Sequence, residues 1–402
     1  MSHGHKPETI DFNRPHVTGD EFVNMSTAIR EAHTASSGPF SALCADWLTQ
    51  STGALRALLT HSCTAALEMA FTLADVGTGD EVIMPSFTFV STANAVVARG
   101  GRPIFVDIRP DTLCIDEMQV ERAVTSRTKA IVPVHYAGVG CEMDVISRIA
   151  RSGDFLVIED AAQGVGATYV GRPLGGIGHF GAYSFHETKN VSCGEGGALL
   201  INDDRFVDRA EIVLEKGTDR RRFSRGEVAK YTWVDVGSSY ALSDLAAAYL
   251  WAQLEHEGEI TAARRRVWER YHAAFESLER EERLRRPIVP SDRVHNAHMY
   301  YLLLENETTR TKFIAHLAAR GIHAVFHYVP LHSSIGGRRY ATSIGALPVT
   351  VDASARLVRL PMWADMTPEQ VDRVAEAVAD FFARPHAGAR SRARSVREAV
   401  GL

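Results

Sequence analysis

Phe155-Leu156-Val157-Ile158-Glu159-Asp160-Ala161-Ala162-Gln163 is a short apolar run that ends in two adjacent carboxylates and then turns small and polar. Four apolar residues in a row suit a strand buried on both faces, and the acids mark its carboxyl end. Upstream, similar runs recur with helical segments between them. Arg56 to Thr60 reads as a strand and Thr64 to Leu73 as a helix; Glu81 to Met84 is a strand and Phe89 to Arg99 a helix. Pro103 to Ile108 is a strand and Asp116 to Val124 a helix; Ala130 to Tyr136 is a strand, and Met143 to Ala150 is the helix that leads into Phe155. Strands alternating with helices predict an α/β fold with a mainly parallel sheet flanked by helices. Ligands of such folds bind in the loops at the carboxyl ends of the strands.

Before this series, Asp20 to Glu31 reads as an amphipathic helix and Ser36-Ser37-Gly38-Pro39 as a loop. After it, Gly197 to Asn202 leads to a helix reaching Lys216, followed by the basic run Arg220-Arg221-Arg222 and a long helical stretch from Ser243 to about Arg283. Beyond that the texture changes to a smaller α+β unit. His298 to Glu305 and Ile322 to Tyr328 read as strands, and Thr309 to Arg320 as a helix stopped by Gly321. The last helix opens on Thr367-Pro368-Glu369-Gln370, a capping box with proline at the first helical position, and carries Val371, Val374, Val378 and Phe382 on one face. The expected division is a large ligand-binding domain over residues 1–255, a small C-terminal domain over 256–384, and a disordered Arg- and Ala-rich tail over 385–402.

The 402 residues carry 44 Lys and Arg against 49 Asp and Glu, a net charge of −5, so nothing global points to nucleic acid or an anionic membrane. No apolar run approaches a bilayer's width, and the first residues lack the apolar core of a signal peptide. The five cysteines are scattered with no CxxC pair, which argues against a disulfide framework and for a reducing cytoplasm. The 17 histidines form no HExxH or equivalent metal spacing, so no metal is expected. Gly176-Ile177-Gly178-His179-Phe180-Gly181 matches GxGxxG but precedes a strand instead of following one, which sets aside a dinucleotide site.

Four features fall in loops after strands. Ser62-Cys63-Thr64 lies between a strand and a helix, where free N–H groups and the helix dipole make a phosphate seat; a plain N-cap by Ser62 or Thr64 is the alternative. Asp160 ends its strand and can hold a protonated ring nitrogen, or else cap a helix. Phe87-Thr88-Phe89 follows another strand, and Phe89 can stack on a flat ring, whereas Phe87 suits core filling. In Ser184-Phe185-His186-Glu187-Thr188-Lys189-Asn190, backed by Gly194-Glu195-Gly196-Gly197, a lysine sits in a turn among small, polar and aromatic neighbours, unlike the lysines of a charged helix face. A partly desolvated lysine attacks carbonyls, and Ser184 offers a hydroxyl to a phosphate oxygen. Phosphate seat, stacking ring, carboxylate and Schiff-base lysine together are what pyridoxal 5'-phosphate (PLP) demands.

The chain resembles the DegT/DnrJ/EryC1/StrS sugar aminotransferases, PLP enzymes of the aspartate-aminotransferase fold (fold type I), from about Ile10 to Ala383. Within that group it looks most like the dTDP-4-amino-4,6-dideoxygalactose transaminases. The runs that carry the match begin at Ser62-Cys63-Thr64, Pro133-Val134-His135, Glu159-Asp160-Ala161, Ser184-Phe185-His186, Tyr231-Thr232-Trp233, Asn296-Ala297-His298 and Val325-Phe326-His327. The resemblance implies Lys189 as Schiff-base lysine and proton shuttle, Asp160 on the pyridine nitrogen, Gln163 beside the ring, and Phe89 stacked on it. It places Cys63, Thr64 and Ser184 around the phosphate. It also implies a homodimer with the active site at the subunit interface, L-glutamate and a dTDP-sugar as substrates, and the PLP and pyridoxamine (PMP) forms of the cofactor. In relatives an asparagine from the neighbouring subunit reaches the phosphate in a Gly-x-Asn-Tyr-Arg run; here that run is Gly237-Ser238-Ser239-Tyr240-Ala241, with Ser239 in the asparagine's place. His186, His327, Tyr328 and His332 are candidate contacts to the sugar nucleotide, with structural hydrogen bonding as their alternative. The expected activity is amino transfer from glutamate to C4 of dTDP-4-keto-6-deoxy-D-glucose. Transfer at C3 or with opposite stereochemistry, a dehydratase or epimerase of the same fold, and a non-catalytic PLP-binding regulator remain open.

Overall fold

A computed structural model describes residues 9–383. Its main sheet has eight strands: β1 (Arg56–Thr60), β2 (Glu81–Pro85), β3 (Arg102–Val106), β4 (Thr128–Ile131), β5 (Leu156–Asp160), β6 (Phe180–Ser184), β7 (Gly197–Ile201) and β8 (Thr342–Ser343). Their spatial order is β1-β7-β6-β5-β4-β2-β3-β8. All pairings from β6 across to β8 are parallel; β7 runs antiparallel between β1 and β6. Every residue of β2, β6 and β7 is buried, as a sheet covered on both faces requires.

Helices α1 (Glu21–Arg30), α2 (Pro39–Thr52), α3 (Cys63–Leu73), α4 (Val90–Ala98) and α5 (Asp244–Glu255) surround this sheet. The apolar side of α3 packs with β2, β6 and β7 in one core, while α2 and α5 cover the opposite face. The loop expected at Ser36–Pro39 is the entry to α2, which the sequence reading missed: Pro39 takes the first helical position, where its lack of an N–H costs nothing. Asp244 then accepts from Ser41 N at 2.7 Å, so the start of α5 anchors the start of α2.

Four expected elements are shorter or more divided than expected. The strand from Ala130 stops at Ile131, since Pro133 offers no N–H and the chain turns through Ala137 at φ 57°. The long helix from Ser243 divides into Asp244–Glu255, Glu257–Ala274 and Glu276–Arg280, with His256 and Phe275 off helical geometry at the joints. The two later strands contract to Tyr301–Leu303 and Val325–Phe326, which flank Leu357–Arg359 in a small antiparallel sheet. The final helix, Pro368–Ala383, begins with the expected reciprocal bonds: Thr367 N donates to Gln370 Oε1 at 3.0 Å and Gln370 N to Thr367 Oγ1 at 3.3 Å. The tail expected at 385–402 lies outside the described residues. β8, from the C-terminal part of the chain, pairs Thr342 with Ile104 and Ser343 with Phe105, so late sequence completes the edge of the main sheet.

The GxGxxG loop has an internal partner. Glu159, fully buried, accepts from the backbone N–H of Gly175 (2.8 Å), Ile177 (2.7 Å) and Gly178 (2.6 Å). His135 completes the set: Cys141 N donates to its Nδ1, so Nε2 carries the proton and donates to Glu159 at 2.8 Å. The glycine loop therefore cradles a carboxylate of its own chain, beside the strand end that carries Asp160.

Candidate active site

A cavity of about 430 Å³ opens at the carboxyl ends of β2, β5 and β6, between them and the small sheet. Its floor at one end is the start of α3. Ser62 caps that helix, its Oγ accepting from Ala65 N at 3.1 Å, so the plain capping reading holds for Ser62. Cys63 and Thr64 occupy the first helical positions, whose N–H groups have no acceptor in the helix, and both line the cavity. Thr64 Oγ1 is 2.7 Å from Ser91 Oγ, which adds a second hydroxyl to this end. Burial pushes the Cys63 thiol up, so it stays a neutral packing group. Gly197 is needed here by shape: a Cβ on it would stand 2.4 Å from Ser62 C and 2.5 Å from Cys63 N.

Asp160 closes β5 on the cavity wall, 6% exposed. Its Oδ2 accepts from Thr92 Oγ1 at 2.7 Å, and Thr92 is in turn 3.1 Å from Thr88 Oγ1; Oδ1 accepts from Ala162 N at 3.2 Å. Asp160 thus caps a turn and not a helix. A carboxylate has about four acceptor positions, so it keeps capacity for a donor in the cavity. Gln163 is fixed in orientation: its Oε1 accepts from Ala137 N at 2.6 Å and its Nε2 donates to Tyr328 OH at 3.3 Å.

Lys189 follows β6 in a turn stitched by Lys189 N to His186 O at 2.9 Å. It shares the cavity with Asp160, Cys63 and Ser184. Burial holds its amine below the usual lysine range, opposed by Cys63 and Asp160 and reinforced by the positive Arg359. Phe89 stands at the entrance of α4, 59% exposed yet lining the cavity, where a flat ligand can cover it; Phe87 is buried against Tyr136 at 5.1 Å, the core-filling role.

The candidate substrate contacts separate. His327 and Tyr328 line the cavity, with His327 Nδ1 3.0 Å from Tyr136 OH and its imidazole kept neutral by burial. His186 lies at the rim, its Nδ1 2.9 Å from Thr188 Oγ1. His332 is elsewhere: Ser86 Oγ accepts from His332 N at 3.0 Å and is 2.8 Å from its Nδ1, the structural alternative. Ser239 lies on the surface, in a bridge with Glu215, and does not line this cavity.

Two cavity residues escaped the sequence reading. His298 is held by Asn190: Asn190 Nδ2 donates to Asn296 O at 2.7 Å, which leaves Asn190 Oδ1 to accept from His298 Nδ1 at 3.0 Å. Its imidazole is driven well down by burial and by Lys189. Arg359 comes from the apolar run Leu357-Val358-Arg359-Leu360-Pro361, where a charge inside a buried strand was the missed signal.

These groups fit a phosphate ester of a protonated aromatic aldehyde. The phosphate finds helix N–H groups and hydroxyls, the ring nitrogen finds the Asp160 carboxylate, and the aldehyde finds a lysine poised to be neutral.

Comparison with known proteins agrees with this geometry. The model of the DegT/DnrJ/EryC1/StrS aminotransferase family matches residues 17–379. The spore coat polysaccharide biosynthesis protein SpsC of Bacillus subtilis is 34% identical over 373 residues, 91% of this chain and 95% of its own length. The aminotransferase TlmJ of Streptoalloteichus hindustanus superposes with a TM-score of 0.85 at 28% identity, over 93% of this chain and 99% of that one. Spr1654 of Streptococcus pneumoniae, in its PMP form, gives 0.86 at 25% identity, over 92% and 98% of the two chains.

Proposed function

Because the chain belongs to the DegT/DnrJ/EryC1/StrS aminotransferase family, and is a PLP-dependent sugar aminotransferase of fold type I, we propose that it moves an amino group from L-glutamate to C4 of dTDP-4-keto-6-deoxy-D-glucose. The product is then dTDP-4-amino-4,6-dideoxy-D-galactose. The observation that carries the chemistry is Lys189, its amine depressed by burial in the same cavity as the Asp160 carboxylate. The sugar and the C4 position rest on the long runs of likeness around Tyr231, Asn296 and Val325.

PLP, when bound, supplies the electron sink that lets a carbon bearing an amino group lose a proton. In this reading Cys63, Thr64 and Ser184 hold its phosphate, Asp160 keeps its ring nitrogen protonated, Phe89 covers one face of the ring and Gln163 borders it. Lys189 takes the proton from the donor carbon as general base and returns it as general acid, and the reverse sequence aminates the sugar. His186, His327 and Tyr328 orient the sugar nucleotide, whose remote contacts position the keto carbon. His332 reaches the substrate only by moving off Ser86.

A homodimer in the cytoplasm, with no nucleic-acid or membrane partner, belongs to the same proposal, with Ser239 reaching the phosphate of the partner's site. Its support is the exposed apolar surface of the segment around Ser239, where Trp233 is 79% exposed, together with Phe22 and Val23 on α1. Among the described residues no helix is long and apolar enough to cross a membrane.

The test incubates the holoenzyme with glutamate and a panel of nucleotide keto sugars and identifies the amino sugar by NMR. A C4 amine with galactose configuration is the expected result; a C3 amine, the opposite epimer, or product without glutamate consumption replaces the reading. Gly197→Ala tests the phosphate seat separately. Its added methyl meets the backbone at Cys63, so the PLP concentration needed to saturate the apoprotein should rise roughly 10-fold or more by absorbance titration. An unchanged titration would place the phosphate elsewhere.

A further inference from the structure

The cavity with Lys189 takes up only the carboxyl end of β2. The other end of that strand opens on a second groove of about 890 Å³, at the side of the sheet where β3 begins and β8 joins it. Glu81, the first residue of β2, lines the groove, whereas Phe89, beyond its last residue, lines the cavity. The length of β2 sets the two roughly 15 Å apart, so they are different sites. The groove has the size of a small-molecule cleft, roughly 300–1,000 Å³.

Arg102, Arg127 and Arg339, from three separate parts of the chain, converge on it. Among the described residues that line it, Glu81 alone is acidic, and that carboxylate is already engaged. It is 5% exposed and accepts from Arg127 Nε at 3.0 Å and from Thr125 Oγ1 at 2.6 Å. Asp80, next to it in the chain, accepts from Gly77 N at 2.9 Å. Arg102 feels the Glu81 charge without pairing to it, and one of its Nη atoms reaches Thr342 Oγ1 at 3.4 Å. Arg339 lies over the Tyr340 ring at 4.9 Å, and among the described residues no carboxylate pairs with it or with Arg102. Two guanidiniums therefore keep free donors. Beside them stand the half-exposed Tyr340 ring and an apolar strip of Val97, Ile104 and Ile344. Gly79 and Gly100, at φ 99° and 83°, leave the facing wall bare of side chains.

We propose that this groove is a second, non-catalytic binding site for a nucleoside phosphate. Arg102 and Arg339 take the phosphate oxygens, and Tyr340 with the apolar strip takes the base. A guanidinium fork matches phosphate with paired hydrogen bonds, and an aromatic face stacks on any base. A bare anion would use the arginines and leave Tyr340 without a role. The site rests on the groove alone, so its failure leaves the aminotransferase reading untouched.

Calorimetry on the holoenzyme tests it, with inorganic phosphate and the 5'-monophosphates of adenosine, guanosine, cytidine, uridine and thymidine as probes. Wild type is compared with Arg102→Gln/Arg339→Gln, with Arg102→Lys/Arg339→Lys and with Tyr340→Ala. All three side chains are exposed, so melting points should stay in place. At least one nucleotide should bind wild type more tightly than phosphate does, and the double glutamine variant should weaken it by roughly 10- to 100-fold. The double lysine variant should recover part of that loss, since it keeps the charge but not the fork. Tyr340→Ala should weaken the nucleotide by about tenfold and leave phosphate unchanged. Turnover in the double glutamine variant should stay within about twofold of wild type, which separates the groove from the cavity. Nucleotide affinity that is equal in all four proteins, or no binding to wild type, overturns the proposal. Phosphate that binds as tightly as every nucleotide also overturns it and reduces the groove to a general anion patch.

Discussion

Lys189→Ala is expected to lower turnover of glutamate with the keto sugar by roughly 10³- to 10⁴-fold, the scale of losing a positioned proton-transfer group. The protein should fold as before, because burial already disfavours the charged amine and a methyl in its place leaves no charge without a partner. Lys189→Arg should be as inactive, since an arginine stays protonated and cannot attack an aldehyde. Borohydride reduction of the holoenzyme, followed by peptide mass mapping, should leave the cofactor on the peptide with Lys189 in wild type and on no peptide in the alanine variant. The sign of the pH dependence follows from the direction of the shift. A lysine below its ordinary range is neutral over a wider part of the pH scale, so attachment of PLP to the apoprotein should rise with pH around a midpoint below 10.5, the ordinary value. A midpoint at or above that value contradicts the desolvated site. Turnover by Lys189→Ala within about tenfold of wild type would sink the mechanism.

Glu159→Gln should be the most destabilising single change near the site. Four donors converge on that carboxylate: His135 Nε2 and the N–H groups of Gly175, Ile177 and Gly178. An amide offers one acceptor oxygen, and its NH₂ must face donors at the other position. Each buried donor left facing the amide NH₂ without an acceptor costs about 1–3 kcal/mol. Thermal unfolding of the apoprotein should show a fall of several degrees, with PLP binding weakened because Asp160 is the next residue on the same strand. A conservative change at an exposed acid such as Glu195 should leave the midpoint in place. If Glu159→Gln melts with wild type, the glycine loop does not depend on its internal anion.

The sheet and one end of the cavity's lining were legible because they follow from local pattern. Short apolar runs with helices between them specify a parallel sheet, and Asp160, Ser184 and Lys189 sit where strands end. Likewise Thr367 and Gln370 announce a helix start through spacing alone. What stayed hidden depends on burial. Arg359 looks like any strand residue until the small sheet buries its Nε, and His298 gains its role only through Asn190, which is 108 positions away. His332 and His327 are five residues apart and similar on the page. Only the packed structure turns one toward Ser86 and the other toward the cavity. Ser239 illustrates a further limit, since a residue proposed to act in a partner's site leaves no trace in its own.

The edge strand β8 has a consequence for how the protein is made. Residues Thr342 and Ser343 pair with Ile104 and Phe105, and Arg359 follows soon after them, so the site joins early and late parts of the chain. Contacts of such sequence separation form slowly. During synthesis Cys63, Thr64 and Lys189 emerge long before Arg359, which lines the same cavity, and the growing chain presents an open sheet edge at β3 until β8 arrives. A truncation before Thr342 should leave the edge strand unmade and remove Arg359 from the lining of the cavity.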